Sequence, residues 1–227
     1  MLQPLSVIGT LQEGPLHAAL KSHYRAPGDV VEAQVGGYVV DILGSRGIVE
    51  IQTASFSAIR RKLETLLESH TVRLVHPIGI ERWIVRVDAT GEILGRRKSP
   101  KRLGVEDVFE QLVSLATLVD HPRLLVDVVT TRLEEIRTWR KRRRRRKFSW
   151  QVAERRLLEV LDVTTIASAS DLFRLLPHEL PEPFSTRDLA QAMDRPLWLA
   201  QKAAYCLRES GAVRRVGKRG NLLLYAR

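Results

Sequence analysis

Residues 37–62, GYVVDILGSRGIVEIQTASFSAIRRK, decide how this chain is read. The β-branched pairs Val39-Val40 and Ile48-Val49 mark two strands, and Gly44-Ser45-Arg46-Gly47 has the composition of a short hairpin loop between them. A helix is expected next, with Ser55 as its cap and Ile59, Leu63, Leu66 and Leu67 as its buried stripe. Side chains alternate along a strand, so Ile48, Glu50 and Gln52 share one face while Val49, Ile51 and Thr53 share the other. Asp41 and Glu50 therefore stand at facing ends of neighbouring strands. An acid inside a run as apolar as IVEI is half buried, where an unpaired carboxylate is costly. A divalent ion shared with Asp41 would satisfy both acids; an arginine partner is the other solution.

The pattern D-x8-E-x-Q across a hairpin that leads into a helix resembles the PD-(D/E)xK nuclease core of restriction endonucleases, archaeal Holliday-junction resolvases and many repair nucleases. The resemblance covers about residues 11–88. The run EIQTASFSAIRRKL followed by HTVRLVHPI is similar to a group of uncharacterised bacterial proteins with this nuclease-like domain. It implies an α/β (α+β) class, a restriction-endonuclease-like mixed sheet flanked by helices, and metal-dependent hydrolysis of DNA. It also implies Asp41 and Glu50 as metal-binding acids, with Glu13 on the first helix reaching the same ion. A dipole-complementing acid at a helix start is the plainer role for Glu13, and His17 lies one turn further on. Gln52 falls where most members carry lysine; it can orient a water but brings no charge. Lys62, at the edge of the helix stripe, is long enough to reach the carboxylates and replace that lysine, or it is simply solvated. Mg²⁺ or Mn²⁺ is the implied cofactor, since both are hard cations that take oxygen ligands.

At 227 residues and 44% apolar content the chain can bury real cores. Its net charge of +11 and pI near 10.4 point to a polyanionic partner, for which DNA is the expectation. Residues 140–147 (RKRRRRRK) carry eight of those charges, leaving 11 − 8 = +3 elsewhere, so the basicity is local. Adjacent like charges repel, so this tract stays exposed, and Arg142, Arg143, Arg144 and Arg145 are candidate phosphate contacts. The single cysteine, Cys206, excludes an internal disulfide and a cysteine-rich zinc site. No apolar run reaches the ~18 residues of a membrane span and the start lacks a secretory pattern, so a soluble, cytoplasmic protein without membrane contact is expected.

In chain order, a helix is expected over 11–24, strands over 30–35, 72–77 and 82–87, a basic linker over 95–102, an amphipathic helix over 105–119 and a strand over 124–129. The organisation read from this is a nuclease-like domain over 1–95, a basic extension over 96–150 and a third unit over 151–227. In that last unit, Ser185 and Asp188 have capping-box spacing, Pro196 opens a longer helix, and AVRRV, GKRGN and LLLYA form a hairpin with a basic tip. Three helices and a basic hairpin resemble the winged helix–turn–helix family over about residues 168–227. Helical angles put Leu199, Ala203, Cys206 and Leu207 inside, with Trp198, Gln201, Tyr205 and Arg208 outside and Lys202 nearby. The resemblance implies Gln201 and Arg208 as base readers, and Arg214, Arg215, Lys218 and Arg219 as phosphate contacts from the wing. Protein contact through the two outward aromatics is the alternative use of such a fold.

Three functions follow as expectations: a metal-dependent DNA nuclease, a nuclease-like DNA-binding regulator without cleavage, and a protein-interaction adaptor that docks through its basic tract.

Overall fold

Pro15 opens the first helix, α1 (Pro15–Tyr24), at a position where its missing N–H has no intrahelical partner to lose. The computed structural model describes residues 13–141, 148–177 and 180–227. After α1 come β1 (Val30–Val35), β2 (Tyr38–Gly44) and β3 (Gly47–Ile51), an antiparallel meander. Gly47 closes the β2–β3 turn at φ +101°, and a Cβ there would sit 2.4 Å from the Thr71 carbonyl oxygen, so only glycine fits. Ser55 caps a 3-10 turn, Phe56–Ala58, rather than the helix itself; α2 (Arg60–Leu67) follows and buries Leu63, Leu66 and Leu67.

The α2 crossover brings β4 (Val72–Val87) in parallel beside β3. Two strands are expected here; the structure has one continuous strand of 16 residues. Pro77 is tolerated because the edge of β4 it occupies is unpaired between Val75, where β3 ends its pairing, and Trp83, where β5 (Ile93–Lys98) begins. The basic linker expected near residue 95 is therefore an edge strand in part. Every residue of β5 is exposed, so backbone pairing holds it and no hydrophobic pattern announces it.

The amphipathic stripe expected over 105–119 is buried at Val108, Phe109, Leu112, Leu115 and Ala116. It is carried by 3-10 turns, Val105–Val108 and Val113–Leu115, around a short α3 (Phe109–Leu112), not by one helix. The strand expected to stop at 129 continues as β6 (Leu124–Lys141), parallel to β4, and returns as the antiparallel β7 (Phe148–Ile166). Its outer half, LEEIRTW, alternates charge with apolar residues and so hides a strand that has charged side chains on both faces. The sheet order is β1-β2-β3-β4-β6-β7, with β5 also on β4. Residue 95 lies within β5 and residue 150 within β7, so both expected domain boundaries fall inside one sheet.

A 3-10 segment, Ala169–Leu175, leads to α4 (Thr186–Met193), α5 (Leu197–Glu209) and the hairpin of β8 (Arg214–Arg219) with β9 (Leu222–Ala226). Ser185 and Asp188 form the reciprocal capping box that their spacing indicates. Leu199, Ala203, Cys206 and Leu207 of α5 are buried in the same cluster as Leu63, Leu66, Phe109 and Leu112, so the C-terminal elements share the core on the α2 side of the sheet. A second cluster, Leu16, Leu20, Ile51, Val75, Val129 and Leu133, lies under α1. The architecture is α+β: a large mixed sheet flanked by helices.

Candidate functional site

The β2–β3 ladder runs for three pairs, from Gly44 with Gly47 to Ile42 with Val49. Beyond them the strands part, and a side chain takes the place of a ladder bond: Asp41 Oδ2 accepts the Ile51 N–H at 2.7 Å. Glu50, one residue before Ile51, is buried with only 4% of its side chain exposed. The edge-of-helix position of Lys62 on α2 brings its Nζ to 2.6 Å from Glu50 Oε1. The same Nζ donates to the Val39 carbonyl at 2.6 Å. Glu50 Oε1 meets Lys62 at ion-pair distance but receives no well-directed hydrogen bond among the described residues. Burial first, and then the neighbouring Asp41 charge, push the Glu50 pKa up to about 7 in spite of Lys62.

From the other side, α1 supplies a bridge. His17 Nδ1 lies 2.6 Å from Glu13 Oε1 and its Nε2 lies 3.2 Å from Asp41 Oδ2, so one imidazole joins two carboxylates. Lys21, one turn on, reaches Glu13 at 2.7 Å. Burial alone would lower the His17 pKa, but hydrogen bonds and charge from Asp41 and then Glu13 hold it above the ordinary value. Burial likewise opposes ionisation of Asp41, and the His17 hydrogen bond, the Ile51 N–H and the Lys62 charge outweigh it, leaving its pKa lowered. The His17 pair was visible in the sequence only as a histidine one turn after Glu13.

The structure thus gathers Asp41, Glu50 and Lys62 and joins Glu13 to them through His17. Gln52 is turned aside: its Nε2 donates to the Ser55 carbonyl at 3.1 Å and ties down the turn that follows β3. Behind it, the buried His76 sets Nδ1 2.6 Å from the Gln52 carbonyl and packs edge-on against Phe56, a role the sequence did not signal. Among the described residues no three His, Cys, Asp or Glu side chains converge as a metal shell, so the acids that share a locus are the pair Asp41 and Glu50.

Beside this cluster runs a groove. Glu13, His17 and Thr53 face Val152 and Arg155 of β7 across one cleft, and Thr53 and Arg155 continue into a second bounded by Arg82 and Lys101. Under the groove, Glu135 of β6 is 1% exposed and is held by Arg137 at 2.6 Å, Arg82 at 3.3 Å and Arg155 at 3.4 Å. Burial resists its charge, but the three guanidinium groups keep its pKa low.

On α5, Gln201 and Arg208 are exposed, and Lys202 stacks over Trp198 and lies 3.5 Å from Glu110. On β8, Arg219 grips Asp188 with 2.9 and 3.1 Å contacts, whereas Arg214, Arg215 and Lys218 are exposed and meet no acid among the described residues. Arg142, Arg143, Arg144 and Arg145 lie outside the described residues.

A large mixed sheet flanked by helices places this chain in the α+β class. More particularly, residues 14–167 match the family described as Domain of unknown function (DUF8091), and the chain is a member of that family. The match begins at α1 and ends just past β7, so it spans the whole seven-stranded sheet. An uncharacterized protein of Treponema pallidum (strain Nichols) is 31% identical over 219 residues, which is 96% of this chain and 86% of that protein. No solved structure matches the chain.

Proposed function

We propose that this protein is a metal-dependent phosphodiesterase acting on DNA, with Asp41 and Glu50 holding the ion. The observation that carries the reading is the Glu50 carboxylate: buried, pressed toward protonation, and, Lys62 at ion-pair distance aside, lacking a directed hydrogen bond to Oε1 among the described residues. Mg²⁺ or Mn²⁺ fits such a pair, since small hard cations keep several waters and use one or two carboxylates together with substrate phosphate. An ion held there would polarise a phosphoryl oxygen and lower the pKa of a water. The chain's own groups do the remaining work. Lys62 offers the positive charge that Gln52 lacks, beside the carboxylates where charge builds on the phosphate. His17 orients Asp41 and holds it ionised, with Glu13 fixing the imidazole from its other nitrogen. Within this reading α4, α5 and the β8–β9 hairpin act as a winged-helix DNA contact. Gln201 and Arg208, the latter steadied by Glu209, face bases and Arg214, Arg215 and Lys218 face phosphates, while Arg219 is committed to Asp188.

A second reading, a DNA-binding regulator of the same fold without cleavage, draws on the neutralisation of the acids by His17, Lys21 and Lys62. Cleavage of linear, branched and single-stranded DNA with Mg²⁺ or Mn²⁺ separates the two. The hydrolase reading expects wild type to cut and Asp41→Ala and Glu50→Ala not to. Equal cutting by all three removes the proposed site, and DNA binding without cutting by any leaves the regulator.

A further inference from the structure

The outer half of the sheet, beyond the end of β3, consists of the ends of β4 and β6 with β5 and the start of β7. Alternation along β4 puts Arg82 and Arg86 on one face, and the register places Glu135 and Arg137 of β6 and Arg155 of β7 beside them. The ion pairs of Arg82, Arg137 and Arg155 with Glu135 show that these side chains do share that face. It is the α1 face, because Leu133, two residues before Glu135, packs under Leu16 and Leu20. Further out on the same face stand Trp139 and Trp150, edge to face at 5.5 Å, with Arg86 lying 5.0 Å over the Trp150 ring.

The opposite face differs in its charge pairing. There Arg96 pairs with Glu134 while lying over the Trp83 ring, and Arg156 pairs with Glu154. On the α1 face three arginines share the single carboxylate of Glu135, which is buried and presents nothing to solvent. Arg86 and Trp139, which is 54% exposed, meet no acid at all among the described residues. A cationic sheet surface bearing one exposed indole, Trp139, and a half-buried one, Trp150, suits a chain that offers both phosphates and unpaired bases. Paired bases in a duplex would hide their π-faces from these rings.

We propose that this arginine and tryptophan face seats single-stranded nucleic acid, with bases stacking on Trp139 and Trp150 and the backbone running over Arg86 and Arg155 into the groove beside Asp41. The inference deepens the proposed function and rests on it for the substrate class. Binding is therefore read with divalent ions chelated, so that a failed cleavage assay leaves the result standing. The probe is a fluorescently labelled 20-nucleotide thymidine strand, titrated with full-length protein and followed by anisotropy, beside a duplex of the same length. Wild type is expected to bind the single strand more tightly than the duplex. Trp139→Ala and Arg86→Gln, both exposed and clear of the Glu135 clamp, are expected to weaken it about tenfold each with melting temperature unchanged, while Trp139→Phe retains most of the affinity. Single-strand affinity undiminished in Trp139→Ala and Arg86→Gln would overturn the proposal. So would duplex binding that is stronger and falls equally in those variants, or displacement of the strand by polyglutamate as effectively as by unlabelled oligonucleotide, which would mark an acidic-protein surface instead.

Discussion

Lys62 Nζ, carried on α2, lies 2.6 Å from Oε1 of Glu50 on β3, so the positive charge beside the acid pair comes from a helix and not from the strand position two residues on. Glu50 is nearly sealed from solvent, and a cation in that setting acts with little screening. Under the hydrolase reading, Lys62→Met lowers the cleavage rate about a hundredfold, the scale of losing one preorganised charge-stabilising group. Affinity for uncut DNA with the metal chelated stays as in wild type. A loss of binding parallel to the loss of rate would make Lys62 a substrate contact instead.

The elevated Glu50 pKa makes stability depend on pH in a definite direction. Unfolded, the group titrates near its ordinary 4.5, and folded near about 7, so between those values the native state holds the extra proton. Stability is therefore greatest below the lower value and declines as pH rises through the window. Glu50→Gln removes the titration. At pH 8 it is expected to be more stable than wild type, by about 3 kcal/mol at most, and the advantage disappears at pH 4. Urea melts at both values check it.

Divalent ions are expected to reverse that penalty. Mn²⁺ at about one hundred times its dissociation constant would add about 2.7 kcal/mol to the wild type, which raises the melting temperature of a chain this size by several degrees. Asp41→Ala, lacking one of the two carboxylates, shows no such shift in the same thermal scan.

Glu135 is an independent test of the sheet's outer half. Removing its carboxylate leaves Arg82, Arg137 and Arg155 facing one another without a counter-charge. Glu135→Ala is expected to cost about 3–5 kcal/mol, the scale for breaking a buried ion pair. A denaturation midpoint within error of wild type would show that these arginines find solvent without loss.

Gly47→Ala carries a local cost. The residue sits at φ +101° with the Thr71 carbonyl in the path of a methyl group, so strain and collision act together. A loss of about 1–3 kcal/mol is expected in equilibrium unfolding.

What was legible in the sequence was local. The apolar spacing of 59–67, the glycine-bounded turn at 44–47 and the capping box at Ser185 each act within a few residues, and each is found near its expected place. The candidates Asp41, Glu50 and Lys62 could be named because two strands and one helix in immediate succession constrain one another. His17 as a bridge between acids, and Gln52 turned toward Ser55, depend on side-chain directions that no spacing encodes.

By itself the sequence determined the α1-β1-β2-β3-α2-β4 succession, the inward face of α5 and the local character of the basic charge. Hydrophobic period and turn chemistry are properties of neighbouring residues. Only the tertiary structure decided that β4, β6 and β7 run on as strands of one sheet across both expected boundaries, and that Arg82, Arg137 and Arg155 meet at Glu135. Those contacts join residues up to 53 positions apart through backbone pairing and burial of charge, and such pairing leaves no apolar period for a linear reading to detect.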